Sequence, residues 1–218
     1  MKRVVIVGAG AHGREVAEIL RQRSQTDGSV LIAGFIDDDR SLWRSTIDEL
    51  PVLGDWTWFE GVNRDEIAVV CSSGFSETRK QIASRAESYA LTFANAISPL
   101  AYLSPRAAIG EGVVIYPNAT VCRGSSIGNH VLINAGSVVS HDDKLGAYVT
   151  LNPGVHLAGN VSVGEGSYLG MGSNVIQGVS IGAWTTVGAG AAVISDLPAH
   201  VTAVGVPARI LGAKDSVA

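Results

Sequence analysis

An aliphatic residue recurs at every sixth position over nearly half of this 218-residue chain, from Ile97 to Val193. The pattern continues through 17 hexads without a miss or an insertion. Neither an α-helix, with about 3.6 residues per turn, nor a flat strand, with a period of about 2, repeats every six residues. Six residues on each of three sides instead describe a triangular parallel β-solenoid. We therefore predict about six coils, which at a strand spacing of ~4.8 Å form a prism roughly 27 Å tall.

A second regularity marks the corners of this solenoid. From Ile109 onward, the residue three positions after the aliphatic one is Gly, Asn or Asp in 12 of 15 hexads. These residues tolerate the left-handed backbone conformations that tight corners require. The next position is mostly small or short, as at Ala119, Ser137 and Val155, which predicts a second inward-facing side chain. His130 is one of the three corner exceptions, and we expect it to face solvent.

The first part of the chain follows different rules. Residues 97–198 carry eight charged side chains, whereas the other 116 residues carry 28. That contrast predicts a first domain over residues 1–94 and a second over residues 95–218. Apolar runs predict strands at 3–7, 30–36 and 67–71, with one helix that ends near residue 21 and another over 77–90. The predicted fold class is an α/β half-Rossmann-like domain followed by a parallel β-helix of hexapeptide repeats.

A glycine-rich loop, Gly8-Ala9-Gly10-Ala11-His12-Gly13, joins the first strand to the first helix. Such a loop allows a tight turn and presents backbone N–H groups at the positive end of a helix, where phosphate binds. Asp37 follows Gly13 by 24 residues, near the place of a ribose-binding carboxylate. The length before the repeat holds only half of a dinucleotide-binding fold, which suffices for one mononucleotide. A dinucleotide cofactor, a single nucleotide and glycines that merely turn the chain all stay open on these residues alone.

One hexad departs from the others. Val139-Ser140-His141-Asp142-Asp143-Lys144 contains three of the eight charges in residues 97–198, and its Asp143 occupies an inward position that is otherwise small or apolar. A local exception in a consistent pattern indicates a functional site. Imidazole exchanges a proton near neutral pH, and a neighbouring carboxylate can fix its tautomer. This hexad is therefore the candidate site for acid–base chemistry, with Asp143 as the next candidate should His141 not be the base.

The repeat resembles the left-handed β-helix of hexapeptide acyltransferases, and the segment Gly205-Val206-Pro207-Ala208-Arg209 is similar to the one that follows their last coil. Joined to a short nucleotide-binding domain with Gly-x-Gly-x-His-Gly, the whole chain resembles the sialic-acid O-acetyltransferase-like group. This group includes N-acetyltransferases that act on nucleotide-linked 4-amino sugars. The resemblance implies a homotrimer, with acetyl-CoA bound in the groove between neighbouring left-handed prisms.

The resemblance also assigns roles to individual residues. His141 matches the catalytic histidine of the family, and Asp142 stands where an acid, usually Glu, supports it. The residues expected to contact the nucleotide-linked sugar are Gly10, Ala11 and His12, with Asp37 and Asp38 at its ribose or base and Gly74 nearby. The residues expected to contact acetyl-CoA are Thr150, Gly159, Met171, Ala189 and Arg209, the last of which could instead only cap the solenoid.

The implied reaction is acetyl transfer from acetyl-CoA to the 4-amino group of a nucleotide-linked 4-amino-4,6-dideoxysugar, with GDP-perosamine as the favoured substrate. Two alternatives keep the same fold and base: an O-acetyltransferase and an enzyme for UDP-linked amino sugars. A third belongs to another class, a nucleotide-binding module without turnover. We expect no metal, because the spacing of His130, His141 and His156 contains no close pair of the kind that zinc sites use.

Composition argues against several other classes. A net charge of −4 gives no basic surface for a nucleic-acid backbone. No run of about 18 apolar residues is available to cross a membrane. The apolar start of the chain runs directly into charged residues, so we expect no cleaved signal peptide. Two cysteines cannot build a disulfide framework, which fits a cytoplasmic protein.

Overall fold

The first part of the chain folds as a small α/β unit around a four-stranded sheet. The structure is a computed structural model and describes residues 2–213. In chain order the elements of this unit are β1 (Arg3–Val7), α1 (Ala11–Asp27), β2 (Leu31–Ile36), a 3₁₀ helix (Arg40–Leu42), β3 (Thr46–Ile47), β4 (Leu50–Pro51), two further 3₁₀ helices (Trp56–Gly61 and Arg64–Glu66), β5 (Ile67–Cys71), α2 (Ser76–Ser88) and β6 (Thr92–Phe93). The main sheet has the order β2-β1-β5-β6, and all its pairs are parallel.

Helix α1 is longer than its apolar pattern predicts. It continues through the polar residues 22–27 and ends at Gly28, whose φ of 67° is left-handed and whose N–H donates to the carbonyl of Ser24. A glycine in this conformation is a common helix stop. Apolar periodicity therefore located the buried part of α1 but not its solvent-exposed last turns.

The second part of the chain is a parallel β-solenoid, which confirms the fold class that the hexads predict. Its strands recur every six residues and contain two residues each: β7 (Ala96–Ile97), β8 (Tyr102–Leu103), β9 (Ala108–Ile109), β10 (Val114–Ile115), β11 (Thr120–Val121), β12 (Ser126–Ile127), β13 (Leu132–Ile133), β14 (Val138–Val139), β15 (Lys144–Leu145), β16 (Thr150–Leu151), β17 (His156–Leu157), β18 (Ser162–Val163), β19 (Tyr168–Leu169), β20 (Asn174–Val175), β21 (Ser180–Ile181), β22 (Thr186–Val187) and β23 (Ala192–Val193). The antiparallel pair β24 (Val201–Val204) and β25 (Arg209–Ala213) closes its end.

The solenoid strands form three flat faces. Face 1 consists of β7, β10, β13, β16, β19 and β22 with β24 and β25; face 2 contains every third strand from β8 to β23, and face 3 every third strand from β9 to β21. Each strand from β7 to β20 pairs with the one 18 residues later, as Ile115 does with Ile133. The repeated aliphatic residues form the core of the prism, among them Val121, Leu151 and Val187, which are all fully buried. Because the prism is triangular, each face lies opposite the edge where the other two meet.

The corner residues adopt the left-handed backbone that their composition predicts. Positive φ values recur every six residues from Gly112 to Gly190, and they include the exceptions His130, Tyr148 and Trp184, with φ of 57°, 60° and 55°. These three lie on the edge between faces 3 and 1, where helix α2 packs. The Nζ of Lys80 is 5.8 Å from the ring centroid of Tyr148 and 5.1 Å from that of Trp184.

The prediction that His130 faces solvent is wrong. Its side chain is buried, stacked on Tyr148 at 5.1 Å and edge-on to Phe93 at 4.4 Å. Burial, together with the charge of the nearby Arg79, lowers the pKa of His130 to about 4. The corner position itself was interpreted correctly, but the packing of the α/β unit over it could not be deduced from the hexads.

The α/β unit packs on face 1 of the solenoid. Val114 and Leu132 on this face share one apolar cluster with Val16 and Leu20 of α1. The fully buried Arg79 of α2 donates to the carbonyl of His130 at 2.7 Å, and its other nitrogens donate to carbonyls and a hydroxyl of neighbouring residues. Since the two parts share a core, the division at residues 94 and 95 stays a prediction. No helix within residues 2–213 is long and apolar enough to cross a membrane.

Candidate active site

His141 lies on the edge between faces 2 and 3, opposite the face that the α/β unit covers. We call this the His141 edge; its successive turns are residues 104–107, 122–125, 140–143, 158–161 and 176–179. The Nδ1 atom of His141 is 2.9 Å from Oδ2 of Asp142, and both side chains are more than half exposed. A carboxylate only accepts hydrogen bonds, so in the neutral imidazole Nδ1 carries the proton and Nε2 is left as an acceptor. Because the side chain is more than half exposed, a substrate can approach the imidazole.

Two glycines make room for this pair. A Cβ atom on Gly159, one coil after His141, would overlap the Cε1 and Nε2 atoms of the imidazole. A Cβ atom on Gly124, one coil before, would overlap Oδ1 of Asp142. Asp142 itself has a φ of 63°, the left-handed conformation that Asp tolerates better than most residues. The imidazole and its carboxylate therefore occupy space that a side chain at position 159 or 124 would fill.

Asp143 is turned inward and holds the turn from within. It is fully buried; its Oδ2 accepts the N–H of Ser140 at 2.7 Å and its Oδ1 accepts the N–H of Val161, in the next coil, at 2.8 Å. Burial raises the pKa of Asp143 to about 6, although both backbone N–H groups act in the opposite direction. An inward carboxylate with two backbone partners cannot reach a substrate outside the prism, so its suggested role as an alternative base is wrong. It instead braces the turn that carries His141.

We expect Asp143→Ser to change the pH dependence of stability. Serine fits this position, because Ser137 and Ser167 occupy equivalent inward sites and accept the amide of the next coil. The pKa of Asp143 lies above the 3.8 of a free carboxyl, so the folded state binds the proton more tightly than the unfolded chain does. The contribution of Asp143 to the stability of the wild type should then fall as the pH rises from about 4 to about 6, by up to about 3 kcal/mol, and the variant lacks this contribution.

Urea unfolding of both proteins at one protein concentration, between pH 4 and pH 7, measures this difference. The gain of the variant over the wild type should be smallest at pH 4 and level off above pH 6. A difference that stays constant over this range would contradict the assignment of the buried carboxylate.

The glycine-rich loop and its partners meet at the carboxyl ends of three parallel strands. Gly10 caps α1 and is open on its outer side, because an added Cβ would contact nothing within 4 Å. Ala11 beside it is exposed. A small cavity of about 200 Å³ lies next to the loop and is lined by Gly8, Asp37, Asp38 and residues of the core. Strand ends with a helix N-terminus form the usual ligand crevice of such sheets.

Asp37 and Asp38 play different parts at this crevice. Asp37 accepts the N–H of Ala9 at 2.8 Å through Oδ2 and that of Asp39 at 2.8 Å through Oδ1, so its carboxylate holds the glycine-rich loop in place. Asp38 is exposed and forms an ion pair with Arg85 at 3.3 Å. Asp37 is thus partly committed to structure, whereas Asp38 is available at the rim of the cavity.

His12 and Gly74 lie where the loop meets the solenoid. The Nδ1 atom of His12 is 3.1 Å from the hydroxyl of Tyr116, which also donates to Glu15 at 3.0 Å. Burial lowers the pKa of His12, although Glu15 opposes this. The carbonyl of Gly74 accepts a hydrogen bond from Thr150 at 3.2 Å. Tyr116 has no motif that marks it in the sequence, and only the folded structure brings it to this site.

The residues expected to contact acetyl-CoA are not together in one chain. Gly159 lies on the His141 edge, whereas Met171 and Ala189 follow one another on the edge between faces 1 and 2, and Arg209 is exposed in β25. The expectation for Thr150 does not fit the structure. It is fully enclosed beneath the α/β unit, where its hydroxyl accepts from Arg79 at 2.9 Å and lies 3.2 Å from that of Ser76.

The glycine-rich loop and His141 lie on opposite sides of one chain. The glycine-rich loop and Gly74 lie over face 1 at the height of the second to fourth coils, since His12 contacts Tyr116 and Gly74 contacts Thr150. His141 is in the third coil, on the edge opposite face 1. The glycine-rich loop and His141 thus lie at similar heights along the solenoid but on opposite sides of it. Within one chain, the glycine-rich loop and His141 therefore do not face the same side of the prism.

A solenoid of this kind with an exposed histidine–carboxylate pair on one edge defines an acyltransferase of the hexapeptide-repeat type. Residues 3–86 match the family model of the PglD N-terminal domain, and residues 97–142 match that of the bacterial transferase hexapeptide (six repeats). The chain belongs to the family of hexapeptide-repeat acetyltransferases that carry a PglD-type N-terminal domain. Because members of this family are acetyltransferases, the chain is an enzyme and not a nucleotide-binding module without turnover.

Solved structures match along nearly the whole chain. The H141A mutant of GDP-perosamine N-acetyl transferase from Caulobacter crescentus, in complex with CoA and GDP-perosamine, is 38% identical with a TM-score of 0.89, and the match covers 97% of this chain and 98% of that one. The acetyltransferase domain of PglB from Neisseria gonorrhoeae, in complex with acetyl coenzyme A, is 31% identical with a TM-score of 0.87, covering 96% and 99%.

A curated relative matches over a shorter length. The UDP-N-acetylbacillosamine N-acetyltransferase of Bacillus subtilis is 37% identical over 124 residues, which are 53% of this chain and 51% of the relative. The match thus spans about half the length of that protein. Within residues 2–213, no group of three or more His, Cys, Asp or Glu side chains is arranged to hold a metal ion.

Proposed function

We propose that the protein transfers the acetyl group of acetyl-CoA to the 4-amino group of a nucleotide-linked 4-amino-4,6-dideoxysugar, with GDP-perosamine as its substrate. The observation that carries this proposal is the exposed His141–Asp142 pair, 2.9 Å apart, on the edge of a fold shared with an enzyme crystallised with CoA and GDP-perosamine. That enzyme was crystallised as a variant of a histidine that is also numbered 141.

In the proposed reaction, His141 acts as the general base. The amine nitrogen attacks the thioester carbon, and Nε2 takes the proton that the nitrogen loses as the tetrahedral intermediate forms. When the carbon–sulfur bond breaks, the imidazolium returns a proton to the departing thiolate. Asp142 holds the Nδ1–H tautomer and stabilises the imidazolium, although its side chain is one methylene shorter than the usual Glu.

The proposed active unit is a homotrimer with sites between neighbouring chains. The crevice of one chain, with Gly10, Ala11, His12, Asp38 and Gly74, binds the nucleotide-linked sugar, while Asp37 holds the loop. The next chain supplies His141. The opposite placement of these groups within each chain supports this arrangement.

The proposed coenzyme groove runs between the same two chains. It brings Gly159 of one copy toward Met171 and Ala189 of the other, with Arg209 near the adenosine phosphates. Thr150 is no longer included among the proposed contacts. The cytoplasm is the proposed location, because both cysteines are free thiols.

A substrate panel tests the proposed function. GDP-, UDP- and dTDP-linked 4-amino sugars, each with its 4-hydroxyl counterpart, are incubated with acetyl-CoA while free thiol release is followed. We expect the highest kcat/KM for the GDP-linked 4-amino sugar and little release with the hydroxyl counterparts. A higher kcat/KM for a UDP-linked amino sugar would overturn the assignment of guanine as the nucleotide base of the substrate. A higher kcat/KM for a hydroxyl sugar would make the enzyme an O-acetyltransferase.

A further inference from the structure

All the basic residues of the solenoid hexads are gathered beside His141. Residues 97–198 contain only Arg106, Arg123 and Lys144 as Lys or Arg. The carbonyl of Arg106 accepts the N–H of Gly124, and that of Arg123 accepts the N–H of Asp142, so the arginines occupy the first and second coils of the His141 edge. Lys144 begins the strand that follows the edge in the third coil. A chain with a net charge of −4 thus concentrates the positive charge of its solenoid along one edge.

The two arginines line a cavity on the His141 edge, in the two coils that precede the coil of His141. Its volume is about 360 Å³, and it is lined by Tyr102, Ser104, Pro105, Arg106, Cys122 and Arg123. Both arginines are exposed. Within residues 2–213, neither guanidinium has a carboxylate within ion-pair distance, whereas Arg14, Arg23 and Arg85 each have one. Their charge is therefore available to an anionic ligand.

The position of this cavity fits the diphosphate of a nucleotide-linked sugar. The 4-amino group and the diphosphate are attached to opposite ends of the sugar ring. With the amine at His141, the diphosphate lies about one ring length along the edge, comparable to one or two coil spacings of ~4.8 Å. Toward the earlier coils these distances reach Arg123 and Arg106. Toward the later coils the same edge offers Gly159 and Gln177, without a cation.

We propose that Arg106 and Arg123 form a phosphate subsite that binds the diphosphate of the sugar substrate in the chain that supplies His141. The guanidinium fork suits phosphate oxygens, and the glycine-rich loop of the neighbouring chain faces the same group from the other side. The phosphates of acetyl-CoA have the same chemistry. They are separated from the thioester by the long pantetheine arm, which places them beyond this cavity when the thioester is at His141. This subsite rests on the proposed function for the identity of its ligand.

Arg106→Gln, Arg123→Gln and the double variant test the subsite. We expect each single change to raise the KM for the nucleotide-linked sugar about tenfold, and the double change to raise it further, with the KM for acetyl-CoA unchanged. Raised salt should increase this KM more in the wild type than in the double variant, because fewer charges are left to screen. Arg23→Gln, which removes one charge from the outer side of α1, is the matched control and should leave both constants unchanged.

Inorganic pyrophosphate separates the subsite from the identity of the sugar. Its direct binding, measured by calorimetry, should be detected in the wild type and in Arg23→Gln and be lost in the double variant, even if no sugar of the substrate panel is acetylated. A rise in the KM for acetyl-CoA alone would assign the arginines to the coenzyme and overturn the proposal. Unchanged constants together with unchanged pyrophosphate binding would show that the arginines are only solvated surface charges.

Discussion

His141→Ala should reduce kcat by about 10²–10⁴-fold while the protein stays folded and binds both substrates. The imidazole is exposed and makes its one side-chain hydrogen bond with Asp142, so its removal leaves no buried group without a partner. The loss therefore falls on the transfer of the amine proton. His141→Asn should behave similarly, because an amide cannot take up this proton. Steady-state kinetics with acetyl-CoA and the best sugar of the panel measure the change, and His200→Ala, at the far end of the solenoid, is the control.

The pH dependence of the rate distinguishes a base from a residue that only positions the substrate. In the wild type the rate should rise with pH as the base and the substrate amine lose protons. In His141→Ala, the pH–rate profile should show only the rise that comes from the substrate amine. Gly159→Ala should also lower kcat, because its Cβ occupies the space of the imidazole ring. If His141→Ala kept more than about a tenth of the wild-type rate, the loss would fall below the ~10²-fold minimum of a general base, and His141 would only position the substrate.

The solenoid could be predicted from the sequence because each hexad repeats the same local pattern of residue types. An inward aliphatic residue at 121, 139 or 157 and a left-handed corner three positions later depend on nothing outside the coil and its neighbours. The departure at residues 139–144 was visible for the same reason. Against so regular a background, one inward carboxylate was enough to locate the turn that carries His141.

The packing of the α/β unit on the solenoid could not be predicted, because no repeat encodes it. Arg79 is one of several cations in its part of the chain, and only the fold surrounds it with carbonyl groups. The same contact buries His130, which the hexad pattern assigned to solvent, and Thr150, which the family resemblance assigned to the coenzyme. The spacing of Asp37 after the glycine-rich loop predicts a ribose ligand, but it cannot show that the carboxylate is already bonded to the amide of Ala9.

Two inactive variants should restore activity to each other when they assemble together. His141→Ala removes the base, and Gly10→Asp places a carboxylate where the substrate phosphate would approach the helix. Gly10 tolerates this change, because its outer side is open and Asp is a favourable residue at a helix N-cap. In a mixed trimer, the intact crevice of a His141→Ala chain can meet the intact histidine of a Gly10→Asp chain.

The most direct test of a site shared between chains is the activity of such mixed trimers. The two variants are produced together with different affinity tags, and assemblies that carry both tags are purified and assayed for thiol release. Random mixing in a threefold assembly gives about a quarter of all sites both intact parts, so we expect roughly that fraction of wild-type activity or somewhat more after selection for both tags. Activity no higher than that of either variant alone would show that the crevice and His141 of the same chain form the site.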